Sequence, residues 1–128
     1  MDDLVQYRLD SAEEKLKSSK ILLDNGQYND SIGRSYYALF TAVRAVLALE
    51  GVDYAKHSGV ISHFQREYIK TGVFDDKCSK YLQKAFQIRN ACDYDDFYLV
   101  SKQDAEEQYE HAREMISIIR EFLSGKAE

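Results

Sequence analysis

The 128-residue chain contains no proline, no tryptophan and only six glycines. Proline breaks helix interiors, because its ring removes a hydrogen-bond donor and collides with the preceding turn. Glycine marks tight turns, so a fold with many strands and turns would be expected to contain more of it. These absences favour an all-α fold, and 45% apolar residues are enough to form its core. The length fits a single domain over residues 1–128.

Acidic residues outnumber basic ones, with 22 Asp and Glu against 17 Lys and Arg, so the formal net charge is −5. Broad binding to duplex DNA needs a basic surface and is therefore not expected, although a few Arg or Lys residues can still hold one phosphate. We find no apolar run long enough to cross a bilayer and no charged-then-apolar leader, which predicts a cytoplasmic protein without a membrane partner. The two cysteines, Cys78 and Cys92, are too few for a disulfide framework or a zinc site. We expect buried free thiols, no metal and no cofactor.

Apolar residues recur at helical spacing in five segments. The predicted helices cover about residues 3–25, residues 29 to just before Gly51, residues 58–70, residue 75 or 76 to at least residue 90, and the region after Ser101. Asn25-Gly26 is a typical helix end, and Ser101 followed by Asp104 resembles a capping box. Short connections make neighbouring helices antiparallel, so we expect an up-and-down bundle of four long helices plus a shorter one.

The second predicted helix is apolar on nearly every side. Its apolar residues are Ile32, Tyr36, Tyr37, Leu39, Phe40, Val43, Val46, Leu47 and Leu49. A helix with this pattern is buried on most sides, so it should be the central helix. Tyr36 and Tyr37 are expected mainly to fill the core, each with a polar partner for its hydroxyl group. Arg34 and Arg44 interrupt the pattern and need either partners or an opening to water.

Arg89 has the most informative position. If the fourth helix continues to Asp93, then Leu82, Phe86, Arg89 and Asp93 lie on one face of it. A guanidinium group on the apolar side of a helix needs a partner or an opening onto a site. An Arg89–Asp93 ion pair that closes the helix end would satisfy it. A phosphate or nucleotide would satisfy it too, because arginine binds phosphate oxygens with a two-pronged fork of N–H groups.

Two histidines lie in the third helix. His57 stands at its start, one turn before Ile61, and either bonds a nearby turn or carbonyl or belongs to a site, since its ordinary pKa suits proton transfer near neutrality. His63 shares a face with Arg66 and Lys70, so we expect it to be solvated. The later segment from Asp93 to Tyr98 is acidic and aromatic and lacks helical periodicity.

Three motifs follow one another along the chain: Ser35-Tyr36-Tyr37-Ala38-Leu39-Phe40, Lys56-His57-Ser58-Gly59-Val60-Ile61, and Arg89-Asn90-Ala91-Cys92-Asp93-Tyr94-Asp95-Asp96-Phe97. With them, the chain resembles a prokaryotic branch of the HEPN family from about residue 8 to about residue 122. The resemblance implies an antiparallel helical bundle that commonly forms homodimers. It also implies association with small nucleotidyltransferases, in pairs that often act as toxin–antitoxin modules.

The resemblance further implies an active-site pattern from which this chain departs. Active HEPN members are metal-independent ribonucleases with an arginine, four to six residues, and then a histidine, in a cleft at the dimer interface. Arg89 matches the arginine and Asn90 the polar residue after it, but Tyr94, Asp95 and Asp96 occupy the three histidine positions. Tyrosine, with an ordinary pKa near 10, is a poor base at neutral pH. The two carboxylates would repel a phosphate.

Two functions of different classes follow. The favoured one is a non-catalytic binding module that binds a nucleotide, an RNA end or a nucleotidyltransferase partner, through Arg89, Asn90, Asp93, His57, Tyr36 and Tyr37. The alternative is a metal-independent ribonuclease with a rearranged site, in which the catalytic candidates are Arg89, His57 and Tyr94. An interaction protein without a nucleotide ligand is a third interpretation of the same residues.

Overall fold

The structure, a computed structural model, describes residues 2–127 and contains five α-helices and no strand within them. The helices are α1 (Asp3–Asp24), α2 (Tyr28–Ala48), α3 (His57–Phe64), α4 (Asp76–Tyr94) and α5 (Lys102–Ala127). Each of the four long helices runs antiparallel to the next long helix along the chain, and α3 is the shorter helix. The predicted all-α bundle is therefore confirmed.

Side-chain caps explain where three of the helices begin. The Asp2 side chain accepts a hydrogen bond from the Leu4 N–H at 2.8 Å, and the Asp75 side chain accepts one from the Lys77 N–H at 2.9 Å. Ser101 accepts one from the Asp104 N–H at 3.0 Å, as the predicted capping motif requires. Each cap satisfies an amide that has no partner within its own helix.

The core is built around α2, which packs against the other four helices. Its buried residues occupy almost its whole circumference: Ser31, Ile32, Ser35, Tyr36, Ala38, Leu39, Phe40, Thr41, Ala42, Val43, Ala45, Val46, Leu47 and Ala48. The prediction that the second helix is the central one is confirmed. Its buried aromatic and polar residues, among them Tyr36 and Ser35, therefore face neighbouring helices rather than water.

The third helix differs from the prediction of one helix over residues 58–70. The α-helical part ends at Phe64, and a π-helical turn (Gln65–Ile69) follows. In this turn the Lys70 N–H donates to the Gln65 carbonyl oxygen at 2.9 Å, one residue beyond the α-helical partner. Apolar periodicity does not reveal a single wider turn, because the inward residues on both sides of it remain apolar.

The fourth helix extends beyond Asn90 to Tyr94, so Asp93 is helical and lies one turn after Arg89. Asp95 to Phe97, which follow the helix, are exposed, and Phe97 is fully exposed with a φ of +63°.

The cysteines are both free, as expected, but only Cys78 is buried, and the expectation of burial was wrong for the partly exposed Cys92. Within residues 2–127, none of the helices combines the length and hydropathy needed to cross a membrane.

Candidate functional site

Three helices bring the predicted site residues together. Tyr36 and Tyr37 lie in the middle of α2, His57 is the first residue of α3, and Arg89 and Asp93 lie one turn apart near the end of α4. Contacts link all five side chains, which we call the Arg89 cluster. Whether this cluster acts as a site stays a prediction.

The guanidinium group of Arg89 lies among aromatic rings. Its Cζ atom is 5.5 Å from the ring centre of Tyr36, 5.3 Å from that of Tyr37 and 5.9 Å from that of Tyr94. Its Nη2 donates to the Tyr37 hydroxyl at 2.9 Å, and its Nη1 donates to Asn90 Oδ1 at 3.2 Å. The side chain is only 15% exposed, so the rings both hold the cation and partly desolvate it.

An ion pair joins Arg89 to Asp93, as the helix-closing interpretation predicted. Arg89 Nε lies 2.8 Å from Asp93 Oδ2, but the buried Nε–H is not directed at that oxygen and makes no hydrogen bond within residues 2–127. Asp93 itself is nearly half exposed. The carboxylate thus lies beside a donor that it does not satisfy, and it is itself accessible to water.

His57 joins the cluster through Tyr36. The Tyr36 hydroxyl and His57 Nδ1 are 2.9 Å apart, and the His57 ring centre is 5.9 Å from that of Tyr37 and 4.2 Å from that of Phe40. Burial lowers the pKa of His57, and the positive charges of Arg89 and Arg44 lower it further. The imidazole ring is therefore neutral at neutral pH.

The bond to Tyr36 indicates which nitrogen of His57 carries the proton. Tyr36 is completely buried, and burial raises its pKa, so its hydroxyl group stays protonated. His57 Nδ1 is the hydrogen-bond partner of that hydroxyl. A protonated hydroxyl can donate or accept, but this one has no other hydrogen-bond partner within residues 2–127, so its buried O–H is satisfied only if it donates to Nδ1. We therefore assign the proton of the neutral ring to Nε2. In this tautomer Nε2 is a hydrogen-bond donor.

The remaining predicted positions lie at the margin of the cluster. Tyr94 is largely exposed and contributes only its ring face to Arg89. Asn90 accepts from Arg89 and is partly buried. Asp95 and Asp96 are exposed after the end of α4, and neither forms an ion pair within residues 2–127. Of the three positions that could replace the family's histidine, only Tyr94 contacts the arginine.

The expectation that His63 is solvated was wrong. His63 is buried, its Nδ1 lies 2.9 Å from the Tyr54 hydroxyl, and its Nε2 lies 2.9 Å from Glu50 Oε2. A helical wheel places His63 on the charged face of α3, but the connection between α2 and α3 folds over that face. The hydrogen bond from His63 is the main reason why the pKa of Glu50 is lowered.

Sequence reasoning missed a group of cations next to the cluster. Arg8 and Lys15 lie on one stripe of α1, and Arg44 lies on α2, facing them across a groove that Tyr37 and His57 also line. Arg44 was expected to need a partner, and its Nη2 donates to an Asp53 oxygen at 2.7 Å. The stripe spacing on α1 was visible in the sequence, but nothing there indicated which helix it faces.

The chemistry of these residues suits an anion. Guanidinium, ammonium and imidazole N–H groups predominate around the groove and the Arg89 cluster. Within residues 2–127, no group of three or more His, Cys, Asp or Glu side chains is arranged to hold a metal ion. A phosphate group accepts hydrogen bonds of the kind that these donors offer.

Comparison with known proteins identifies related chains. The profile of the HEPN domain matches residues 5–122. A "UPF0332 protein" of Thermotoga maritima is 30% identical over 122 residues, which cover 95% of this chain and 92% of that protein. A Methanocaldococcus jannaschii protein named "putative toxin" is 30% identical over 118 residues, which cover 92% of this chain and 80% of that protein. A "UPF0332 protein" of Pyrococcus horikoshii is 42% identical over 78 residues, which cover 61% of this chain and 55% of that protein.

Proposed function

Because this chain belongs to the HEPN-domain family, we propose that its Arg89 cluster binds a phosphate-bearing ligand, either a nucleotide or the end of an RNA strand, without cleaving it. Arg89 is the cation, and His57 is a neutral hydrogen-bond donor beside it. Tyr36 and Tyr37 hold these two side chains in place from α2.

The hydrogen bond between Tyr36 and His57 is the observation that carries this proposal. Cleavage of RNA without metal needs a base that takes the proton of the 2′-hydroxyl group. With the proton on Nε2 and Nδ1 occupied by Tyr36, His57 has no free lone pair for that role. The same Nε2–H can donate to a phosphate oxygen. The tautomer therefore favours binding over cleavage.

The ion pair with Asp93 supports a site that a ligand can enter. The Asp93 carboxylate lies beside an Arg89 N–H that it does not satisfy, and its side chain is accessible to water. A phosphate that displaced this carboxylate would offer oxygens with better geometry to the same guanidinium group. The desolvation of Arg89 by the tyrosine rings strengthens its attraction for an anion.

Calorimetric titration tests the proposal. The pure protein is titrated with adenosine 5′-monophosphate and with a 5′-phosphorylated ten-nucleotide RNA, alongside Arg89→Gln and His57→Ala. Arg113→Gln, which removes an exposed arginine of α5 paired with Glu110, is the matched control. We expect binding that Arg89→Gln abolishes and Arg113→Gln preserves. Equal binding by the wild-type protein and Arg89→Gln would refute the proposal.

One observation favours a second candidate, a metal-independent ribonuclease. The lowered pKa of His57 keeps it neutral at physiological pH, and it lies in the same cluster as Arg89. A change of tautomer on substrate binding would make Nε2 a base. Incubation with total RNA, with and without a chelator, separates the two functions. Chelator-resistant cleavage that both Arg89→Ala and His57→Ala abolish would establish the enzyme.

We also propose that the chain forms a homodimer and belongs to a toxin–antitoxin pair with a small nucleotidyltransferase. The homodimer and the nucleotidyltransferase partner rest on family membership, and the toxin role rests in addition on the name of the M. jannaschii relative. Sedimentation equilibrium should give twice the chain mass of 14.8 kDa. A nucleotidyltransferase gene beside this one, whose product co-purifies with the chain, would support the pairing. Monomer mass at all concentrations would contradict the dimer.

A further inference from the structure

A groove of about 380 Å³ runs between α1 and α2, next to the Arg89 cluster. Tyr37 and His57, both members of the Arg89 cluster, line it together with Leu4 and Tyr7 of α1. A ligand held at Arg89 could therefore continue into the groove without leaving the surface of the protein.

The groove carries an excess of positive charge in an acidic protein. Arg8, Lys15 and Arg44 line it, and no carboxylate does so among residues 2–127. Asp53, just outside, accepts from Arg8 at 3.1 Å and from Arg44 at 2.7 Å with the same oxygen atom, so one negative charge faces two positive ones. Lys15 donates only to the uncharged Ser11 hydroxyl, at 2.7 Å, within residues 2–127.

Another surface cleft of similar size does not share this property. The cleft between α1 and α5, of about 410 Å³, contains Lys20 and Lys102 together with Asp24, Glu106 and Glu110. Its negative charges outnumber its positive ones, and Lys20 is already paired with Asp24. The contrast shows that the cations of the α1–α2 groove do not merely reflect the average surface of the chain.

Aromatic side chains complete the groove. Tyr7 lines the groove and is 70% exposed, although exposure to water does not stabilise an apolar ring. Tyr37 and Phe40 form part of the groove wall. Proteins that bind single-stranded nucleic acids combine cations that follow the phosphate backbone with aromatic rings on which bases stack. The groove contains both elements within one helix–helix interface.

We infer that the α1–α2 groove binds a single-stranded nucleic acid segment next to the nucleotide at Arg89. Lys15 contacts a backbone phosphate, Arg8 and Arg44 provide the surrounding positive potential, and Tyr7 stacks on a base. This inference rests on the proposed function, since it extends the same ligand beyond the Arg89 cluster. It identifies the ligand class as an oligonucleotide strand rather than a mononucleotide.

Fluorescence anisotropy with a labelled ten-nucleotide single-stranded RNA, and with the same sequence as DNA, tests the inference. The variants are Lys15→Glu, Tyr7→Ala and Arg89→Gln. The control is Lys17→Glu, two residues along α1, where Lys17 is exposed and pairs with Glu14 on a different face. Adenosine 5′-monophosphate serves as the mononucleotide, and circular dichroism verifies that each variant is folded.

We expect Tyr7→Ala to weaken strand binding about 5- to 150-fold, the range for loss of one base stack. Lys15→Glu should weaken it too and reduce the slope of log affinity against log salt by about 0.7, the value for one single-strand phosphate contact. Both variants should bind adenosine 5′-monophosphate as the wild-type protein does, and Lys17→Glu should change neither affinity. Weaker binding of either strand by both variants supports the groove, and preference of the wild-type protein for RNA indicates contacts to the 2′-hydroxyl groups.

The outcomes separate the groove from the Arg89 cluster. If Arg89→Gln abolishes strand binding while Lys15→Glu and Tyr7→Ala leave it unchanged, the groove inference is overturned and the proposed function stands. If Lys15→Glu and Tyr7→Ala weaken strand binding but Arg89→Gln does not, the groove stands and the proposed function fails. If the wild-type protein binds neither strand, the groove inference is overturned as well.

Discussion

Gly59 should be a position where alanine destabilises the protein although it lies in a helix. Gly59 is the third residue of α3, and a Cβ atom there would lie 2.9 Å from the Cβ, Cγ and Cδ1 atoms of Tyr54. Atoms at that distance overlap, so the Tyr54 ring must move. Tyr54 is not free to do so, because its hydroxyl is hydrogen-bonded to the buried His63 at 2.9 Å.

The expected change in the free energy of unfolding has two destabilising contributions and one stabilising contribution. Forcing one extra carbon atom into a packed contact typically costs about 1–3 kcal/mol. Loss of the bond between Tyr54 and His63 adds about 1 kcal/mol. Replacing glycine by alanine at a compatible backbone position returns about 0.4–1 kcal/mol through the unfolded state. We therefore expect Gly59→Ala to lower the free energy of unfolding by about 1–3.5 kcal/mol.

Urea denaturation followed by circular dichroism measures this change, and the chain offers a matched control. Gly33 also lies inside a helix, and a Cβ atom there would meet no atom of the described residues within 4 Å. Gly33→Ala should raise the free energy of unfolding by about 0.4–1 kcal/mol. If Gly59→Ala stabilised the protein as much as Gly33→Ala does, the close packing of Tyr54 on α3 would be refuted.

Three further predictions concern the core and the site. Leu39→Ala leaves a cavity at a fully buried position of α2 and should lower the free energy of unfolding by about 2–4 kcal/mol. A decrease of less than about 1 kcal/mol in urea titration would contradict the central place of α2. Arg89→Gln should raise the pKa of His57, because burial lowers this pKa and the positive charge of Arg89 lowers it further. An NMR titration in which the pKa of His57 falls in this variant would exclude electrostatic coupling between Arg89 and His57. Asp93→Asn should tighten binding of adenosine 5′-monophosphate in calorimetry, because the carboxylate competes for the guanidinium group, whereas weaker binding would mean that Asp93 positions Arg89 for the ligand.

The Arg89 cluster illustrates how far residue patterns reach. The sequence placed Arg89 and Asp93 on one helical face, because residues four positions apart are neighbours in any α-helix. It could not supply the bond from Arg89 to Tyr37, 52 residues away, or that between Tyr36 and His57, 21 residues apart. Those contacts depend on how α2, α3 and α4 lie against one another, and so does the tautomer of His57.

His63 and the α1–α2 groove show where sequence reasoning failed. A helical wheel treats each helix as isolated, so it assigned His63 to solvent although Tyr54 and Glu50 cover it. The groove brings Arg8 of α1 within hydrogen-bond distance of Asp53, 45 residues later. A net charge of −5 gives no sign of the cations in this groove, since charge counted along a chain carries no information about which residues share a surface.

Local sequence patterns predicted the all-α class, the capping motif at Ser101 and the central position of α2. These features depend on propensity, periodicity and capping, which act between residues a few positions apart. The burial of His63, the π-helical turn after α3 and the cationic groove between α1 and α2 could be seen only in the folded protein. Each of these arises where separate helices and their connections meet, and the free energy that fixes it comes from packing and hydrogen bonds between residues far apart in the chain.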